Sequence, residues 1–130
     1  MNIYAPNVEG ERSVFFKEMQ HHGQSTDIIM GDFNVKLNAL DSSVIGPLKT
    51  DTSRAILRDC MLKERWRDVW RQENPVMRTY SRVQQVEGKI NRSRIDLCLV
   101  KEDQLVNMHS ACYEINCISD HAFLTVTMGD

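Results

Sequence analysis

The sequence predicts an α/β fold, mostly one sheet of a two-sheet sandwich with two helices packed on its outer face. Three observations predict it. Apolar runs of strand length recur at 26 to 31, 93 to 100, 111 to 115 and 122 to 127, set off by polar or turn-forming residues. Two stretches, 11 to 22 and 52 to 62, instead repeat apolar residues at helical spacing. Finally, 130 residues with 42% hydrophobic and 26% charged side chains have the make-up of one globular domain. Such a chain buries roughly two thirds of its unfolded surface, enough for one core and too little for two. This composition excludes a collagen, a coiled coil and a disordered tail.

Residues 2 to 5 are extended in character, and Pro6 drives its predecessor away from helical dihedrals, so a strand ends there. From about Glu11 the positions Val14, Phe15, Met19 and His22 share one helical face, and Gly23 stands where a helix C-terminus favours it. Thr26 to Met30 is a buried strand that stops at Gly31-Asp32-Phe33-Asn34. Residues 35 to 52 read as loop, and Thr52 or Ser53 offers an N-cap to a helix burying Ile56, Leu57, Cys60 and Met61. A short stretch at 68 to 72, anchored by Trp66, Val69 and Trp70, is stopped by Asn74-Pro75. Then the period changes to strands: 78 to 83 and 93 to 100 are expected to pair as a hairpin through Gly88, followed by 111 to 115 and 122 to 127. Strand-to-strand contacts are expected to join 26 to 31, 94 to 100 and 122 to 127.

Sixteen basic residues against eighteen acidic ones give a net charge of -2, so a nucleic-acid partner must be held by a local basic patch. No apolar run approaches the ~20 residues of a membrane span, and the N-terminus lacks a signal peptide's basic and apolar regions. An intracellular protein without a membrane partner is expected. Cys60, Cys98, Cys112 and Cys117 form no Cys-x-x-Cys pair and sit among apolar neighbours, which suits reduced, buried thiols. A zinc site from His109, Cys98, Cys112 and Cys117 is disfavoured, because strand alternation already accounts for two of them.

Taken singly, Gly31-Asp32-Phe33-Asn34 reads as a turn after a strand, Asp96 as a surface carboxylate and Ser119-Asp120-His121 as a turn opening the last strand. The ordered set says more. Tyr4-Ala5-Pro6-Asn7, Gly-Asp-Phe-Asn, Ser93-Arg94-Ile95-Asp96 and Ser-Asp-His each lie at a strand end, and together they offer phenol, amide, carboxylate and imidazole. Between 78 and 94, Arg78, Arg82, Lys89, Arg92 and Arg94 against Glu87 give a local charge of +4.

With Asn2-Ile3 before the Tyr motif, Ile29-Met30 before Gly-Asp-Phe-Asn, and Asn74-Pro75 and Tyr80-Ser81 between, the chain resembles the endonuclease/exonuclease/phosphatase superfamily. The resemblance is closest to the apurinic-endonuclease-like domain of LINE-type (non-LTR) retrotransposons. It implies a four-layer α/β sandwich of the DNase I-like type, of which residues 1 to 130 would be the C-terminal half. The family's N-terminal half supplies an Asn and a metal-binding Glu, and neither has a counterpart here, since Glu9 and Glu11 follow the Tyr motif.

Phosphodiester cleavage needs an aligned water, positive charge for a phosphorane-like transition state and a proton acceptor. His121 is the natural proton or charge partner of the phosphate, with Asp96 fixing its tautomer. The resemblance implies that Asp32 aligns the attacking water, that Asn34 donates to a phosphate oxygen, and that Tyr4 and Asn7 contact the scissile phosphate. Either Asp32 or His121 can be the base. Asp120 offers a hard oxygen ligand for Mg²⁺ or Mn²⁺. The basic hairpin, through Arg82, Lys89 and Arg92, is expected to face double-stranded DNA, as the resemblance to LINE-type endonucleases implies. The family also implies a nuclear location. The expected function is Mg²⁺-dependent DNA nicking, weak or absent in this chain without the missing half or self-association. The alternatives are a silent nucleic-acid or partner binding module and a small-molecule or lipid phosphoesterase.

Overall fold

The structure, a computed structural model, describes residues 1 to 129. A four-stranded sheet runs in the order β1 (Asn2–Tyr4), β2 (Ile28–Asp32), β6 (Asp96–Lys101), β3 (Trp66–Asp68). β1 and β2 are parallel, and β6 runs antiparallel to both β2 and β3. Strand alternation sorts this sheet into two apolar faces. Ile29, Leu97, Leu99 and Trp66 pack against Phe16 and Met19 of α1 (Glu9–His22) and Leu57 and Cys60 of α2 (Thr52–Glu64). On the opposite face Ile28, Met30, Cys98 and Val100 meet a two-stranded ribbon, β7 (Met108–Glu114) with β8 (Phe123–Met128), through Met108, Ala111, Leu124 and Val126. The result is three layers, helices on sheet on ribbon, in keeping with the sandwich class the sequence implied.

Several expectations are corrected. α1 turns Arg12, Phe16 and Met19 inward, while Val14 and His22 are exposed. Arg12 takes the buried place because it is fully engaged. Its guanidinium donates to Ser53 Oγ, the Asn7 carbonyl and Asp51 Oδ2 at 2.7 to 2.8 Å, tying the loop after β1 to the start of α2. The N-cap of α2 is Asp51, not Thr52 or Ser53; its carboxylate accepts from the Ser53 and Arg54 amides. The expected 93 to 100 strand is two strands with a break at Arg94 and Ile95. The hairpin is β4 (Arg82–Val86) with β5 (Lys89–Ser93), turning at Glu87 and Gly88, where both residues have positive φ. Residues 123 to 128 take β7 as their hydrogen-bonded neighbour and meet the central sheet face to face, through Leu124 and Val126, instead of joining it edge to edge. Cys60 and Cys98 are buried thiols, and burial pushes Cys98 up to about 11; Cys112 and Cys117 are exposed instead. Between β3 and the hairpin lies the short helix α3 (Val69–Glu73), ended at Asn74 as its Pro75 requires.

Candidate active site

Strand register builds the centre of the site. Tyr4 lies opposite Asp32, and Asp32 opposite Asp96, so one row across β1, β2 and β6 brings a phenol and two carboxylates together at the sheet's end. Gly31 is what lets β1 approach: its φ is +150°, and a Cβ there would meet the Ile3 carbonyl oxygen at 2.0 Å. Asn34 follows in the left-handed region at φ 51°, which Asn tolerates. Its amide donates to Asp32 Oδ1 at 2.9 Å and its side-chain nitrogen to the Ala5 carbonyl at 2.6 Å, so the loops after β1 and β2 are fastened to each other.

His121 arrives from the other layer. The ribbon covers the face of the sheet to which Asp32 and Asp96 belong, and the turn before β8 carries His121 onto the row. His121 Nδ1 lies 2.8 Å from Asp96 Oδ2, and Nε2 lies 3.8 Å from Asp32 Oδ2 and 4.0 Å from Asp120 Oδ1. An ionised carboxylate only accepts, so Asp96 fixes the tautomer with the proton on Nδ1 and leaves Nε2 toward Asp32 and Asp120. Burial pushes the Asp32 carboxyl above its ordinary value and Asp96 adds to the push, while the Asn34 amide, His121 and Arg82 oppose it.

Ser81 is the residue that sequence reasoning passed over. It is buried, and its Oγ accepts from the amides of Ile95 and Asp96 at 2.9 and 3.0 Å. Its carbonyl accepts from Ala122, and the next rung of the same bridge runs from the Val83 amide to the Asp120 carbonyl. One small residue therefore fastens the Asp96 strand to the His121 turn. Its place in Tyr80-Ser81 was the available signal, but a serine in a polar stretch carries no mark of burial.

Of the expected site residues, Asp32, Asn34, Asp96 and His121 come together, and Tyr4, 71% exposed, joins Asp32, Asp96 and His121 in lining an open cavity of about 360 Å³. Asp120 stands beside them with its side chain 65% exposed. Asn7 is exposed in the loop that Arg12 holds. Lys89 and Arg92 are exposed on the hairpin, and Arg82 is half-buried at its base. Arg94, counted with that basic patch from the sequence, does not belong to it. It is fully buried and paired with Asp41 and Asp68, so the surface excess of the segment is smaller than the sequence suggested.

Could these residues hold a divalent cation? Asp32, Asp96 and His121 each offer a donor atom, and those atoms all lie within 4.8 Å of one another, the one such group found among the described residues. Hard carboxylate oxygens at that spacing suit a small divalent ion that keeps part of its water.

No family model matches the chain. It is 32% identical over 133 residues to the transposon TX1 uncharacterized 149 kDa protein of Xenopus laevis, covering 98% of this chain and 10% of that protein. Among solved structures it superposes on an AP endonuclease from Archaeoglobus fulgidus with a TM-score of 0.81 at 20% identity, over 98% of this chain and 60% of the other. It likewise matches the endonuclease domain of TRAS1, a telomere-specific non-LTR retrotransposon, with a TM-score of 0.64 at 16% identity, over 98% of this chain and 54% of that one. The chain thus spans a tenth of its curated relative and little more than half of these solved structures.

Proposed function

We propose that this chain, which has the fold of the endonuclease/exonuclease/phosphatase superfamily, is part of a retrotransposon-type endonuclease domain that nicks double-stranded DNA by divalent-metal-dependent phosphodiester hydrolysis. The observation that carries this reading is the meeting of Asp32, Asp96 and His121 from three separate segments at one sheet end. A fold alone would not argue for chemistry. Titratable groups crowded at the mouth of a cavity do.

In this reading His121, held by Asp96, presents Nε2 to a phosphate oxygen, and the imidazolium form counters charge that builds during attack. Asp32, made more basic by burial, orients the attacking water, and either it or His121 takes the proton. Asn34 and Tyr4 position the phosphate, and Asn7 extends the contact along the strand. When bound, Mg²⁺ or Mn²⁺ supplies positive charge for the pentacoordinate phosphorus. Asp32 and Asp96 would hold it, and Asp120, an exposed carboxylate outside that group whose Oδ1 lies 4.0 Å from His121 Nε2, would add a further oxygen ligand. Exposed Lys89 and Arg92, with Arg82, suit the hairpin to contact phosphates of the duplex.

We further propose that residues 1 to 130 are an incomplete domain, since the resemblance places an additional metal-binding Glu and an Asn on strands that precede the Tyr motif. Groups that act as a unit lose most of their effect when one is absent. Nicking of supercoiled plasmid in Mg²⁺ by the purified chain, with and without a family N-terminal half supplied in cis or in trans, tests this. Nicking is expected only in the complemented reaction. Robust nicking by the monomeric chain alone, abolished by His121→Ala, would overturn the incompleteness.

A further inference from the structure

Beside the active site two cavities open next to each other and share Lys36, Asp51 and Arg54 in their walls. The smaller, about 170 Å³, extends from these residues to Asn34 and Arg82. The larger, about 620 Å³, continues past Lys49 to Asn91 on the hairpin. Both Asn34 and Arg82 also belong to the catalytic neighbourhood. The Asn34 amide is bonded to Asp32, and Arg82 is bridged through its backbone to His121. A groove therefore leads out of the active site between α2 and the hairpin.

The charges along this groove are unbalanced. Its two carboxylates are already occupied: Asp51 by Arg12, Ser53 and the first amides of α2, and Glu9 by the Thr52 amide at 2.7 Å. Its four cations, Lys36, Lys49, Arg54 and Arg82, form no ion pair among the described residues. Arg54 is held in place by donating to the Lys36 and Lys49 carbonyls at 2.5 and 2.8 Å, which fixes its charge beside its neighbours with Asp51 and Glu9 near it but not in ion-pair contact. The Arg82 Nε is buried with no hydrogen-bond partner. Burial, followed by the Arg54 and Lys49 charges, pushes the Lys36 ammonium below its ordinary value. Like charges held this close are unfavourable until an anion enters between them.

We propose that Lys36, Arg54 and Arg82 form a second phosphate subsite, which grips a backbone phosphate displaced along the strand from the one being cut and so sets the register of the strand in the active site. This rests on the nuclease reading above. The chemistry is that of a phosphodiester monoanion: a small cavity whose open lining is mostly polar and carries two guanidinium groups and an ammonium takes a phosphate group, while its apolar residues, Val35 and Ile95, are themselves buried.

The test is duplex binding by the full chain over a range of salt, for the wild type, Lys36→Gln and the control Lys17→Gln, whose cation is exposed on α1 away from the groove. Lys36→Gln is expected to weaken binding several-fold and to flatten the plot of log affinity against log salt by about 0.9, the loss of one phosphate contact; Lys17→Gln leaves the slope unchanged. A scan of single neutral methylphosphonate linkages is expected to find one position, away from the scissile phosphate, that weakens the wild type and has no further effect on Lys36→Gln. If the wild type binds duplex and Lys36→Gln binds it with the same affinity and slope, the subsite is wrong while the nuclease reading stands. A parallel titration with inorganic phosphate, read by NMR at the Lys36 side chain, separates the other failure. Phosphate perturbing Lys36 in a chain that binds no duplex either alone or complemented by a family N-terminal half supports the anion site and overturns the nucleic-acid reading. No perturbation by either probe overturns the subsite.

Discussion

Arg94 and Asp96 are two residues apart in the chain, yet they belong to groupings of the same chemistry with opposite fates. Arg94 is wholly buried, donating to Asp41 Oδ1 at 2.8 Å and through both terminal nitrogens to Asp68, with its guanidinium over the Trp70 ring at 5.1 Å. Arg71 closes the set by a second ion pair to Asp41. In this grouping most of the ionic groups meet a partner, and the pairing raises Arg94 well above its ordinary value against the cost of burial. Asp96 belongs instead to a half-open cluster in which two carboxylates face one imidazole and a cavity. The comparison teaches where to look for chemistry: a satisfied ionic network reads as scaffold, and an unsatisfied one at a cavity mouth as the candidate site. The two are joined, because Tyr113 accepts from Arg94 and donates to the Asp96 carbonyl at 2.6 Å, so the closed network holds the backbone of the open one.

Breaking the closed network should have the largest effect on stability. Arg94→Ala leaves the buried Asp68 without its cation and Asp41 with Arg71 alone, and a loss of about 3–5 kcal/mol is expected in chemical denaturation. A loss below 1 kcal/mol would mean that water reaches Asp41 and Asp68 and that the contrast with the open cluster is false.

The pH dependence sharpens the contrast because two carboxylates act with opposite sign. Burial pushes the Asp51 carboxyl up, but the Ser53 hydroxyl, Arg12 and the Arg54 amide outweigh it and hold it below the usual range. Its contribution is therefore complete above the ordinary Asp value of ~3.9 and lost as pH falls through the lower folded value. Asp32, raised in the fold, behaves the other way. Its ionisation is a penalty, absent below the ordinary value and complete above the folded one. Asp51→Ala should cost about 1–2 kcal/mol at pH 7, as helix caps do, and less at low pH. Asp32→Asn should stabilise the metal-free chain at pH 7 by about 0.5 kcal/mol, the gain vanishing in acid. Thermal melts across pH check both, and an Asp32→Asn variant less stable than wild type at pH 7 would place Asp32 with the scaffold.

How much of this was legible in the chain follows from the range of the forces involved. Helices α1 and α2, strand β2 and the polar strand ends are local patterns, visible as periodicity in Phe15 and Met19, Leu57 and Cys60, or Ile28 to Met30, although in α1 it is Phe16 that is fully buried. The row Tyr4, Asp32, Asp96 was foreshadowed by residue type, since Tyr4 and Asp32 stand where an extended run stops and Asp96 where one starts. What the sequence concealed is pairing over distance. Arg94 looked like one more surface cation because its partners Asp41 and Asp68 lie 53 and 26 residues away. The alternation in β8 announced a half-buried strand and said nothing about whether its neighbour would be β6 or β7. Cys112 and Cys117 sit among apolar residues in the chain but on a part of the ribbon that the core does not reach.

A smaller effect tests the hairpin. Neutralising Arg82, Lys89 and Arg92 together should flatten the salt dependence of duplex affinity by up to about 0.9 per lost contact. An unchanged slope would leave these charges facing water.

The most direct measurement of the central claim is Mg²⁺-dependent nicking by the complemented domain carrying His121→Ala, with its denaturation midpoint measured alongside. The half-exposed imidazole belongs to the open cluster, so the account predicts an unaltered fold and a rate lower by about 10²–10⁴, the scale of losing a positioned acid-base group. Undiminished nicking by the folded variant would contradict it.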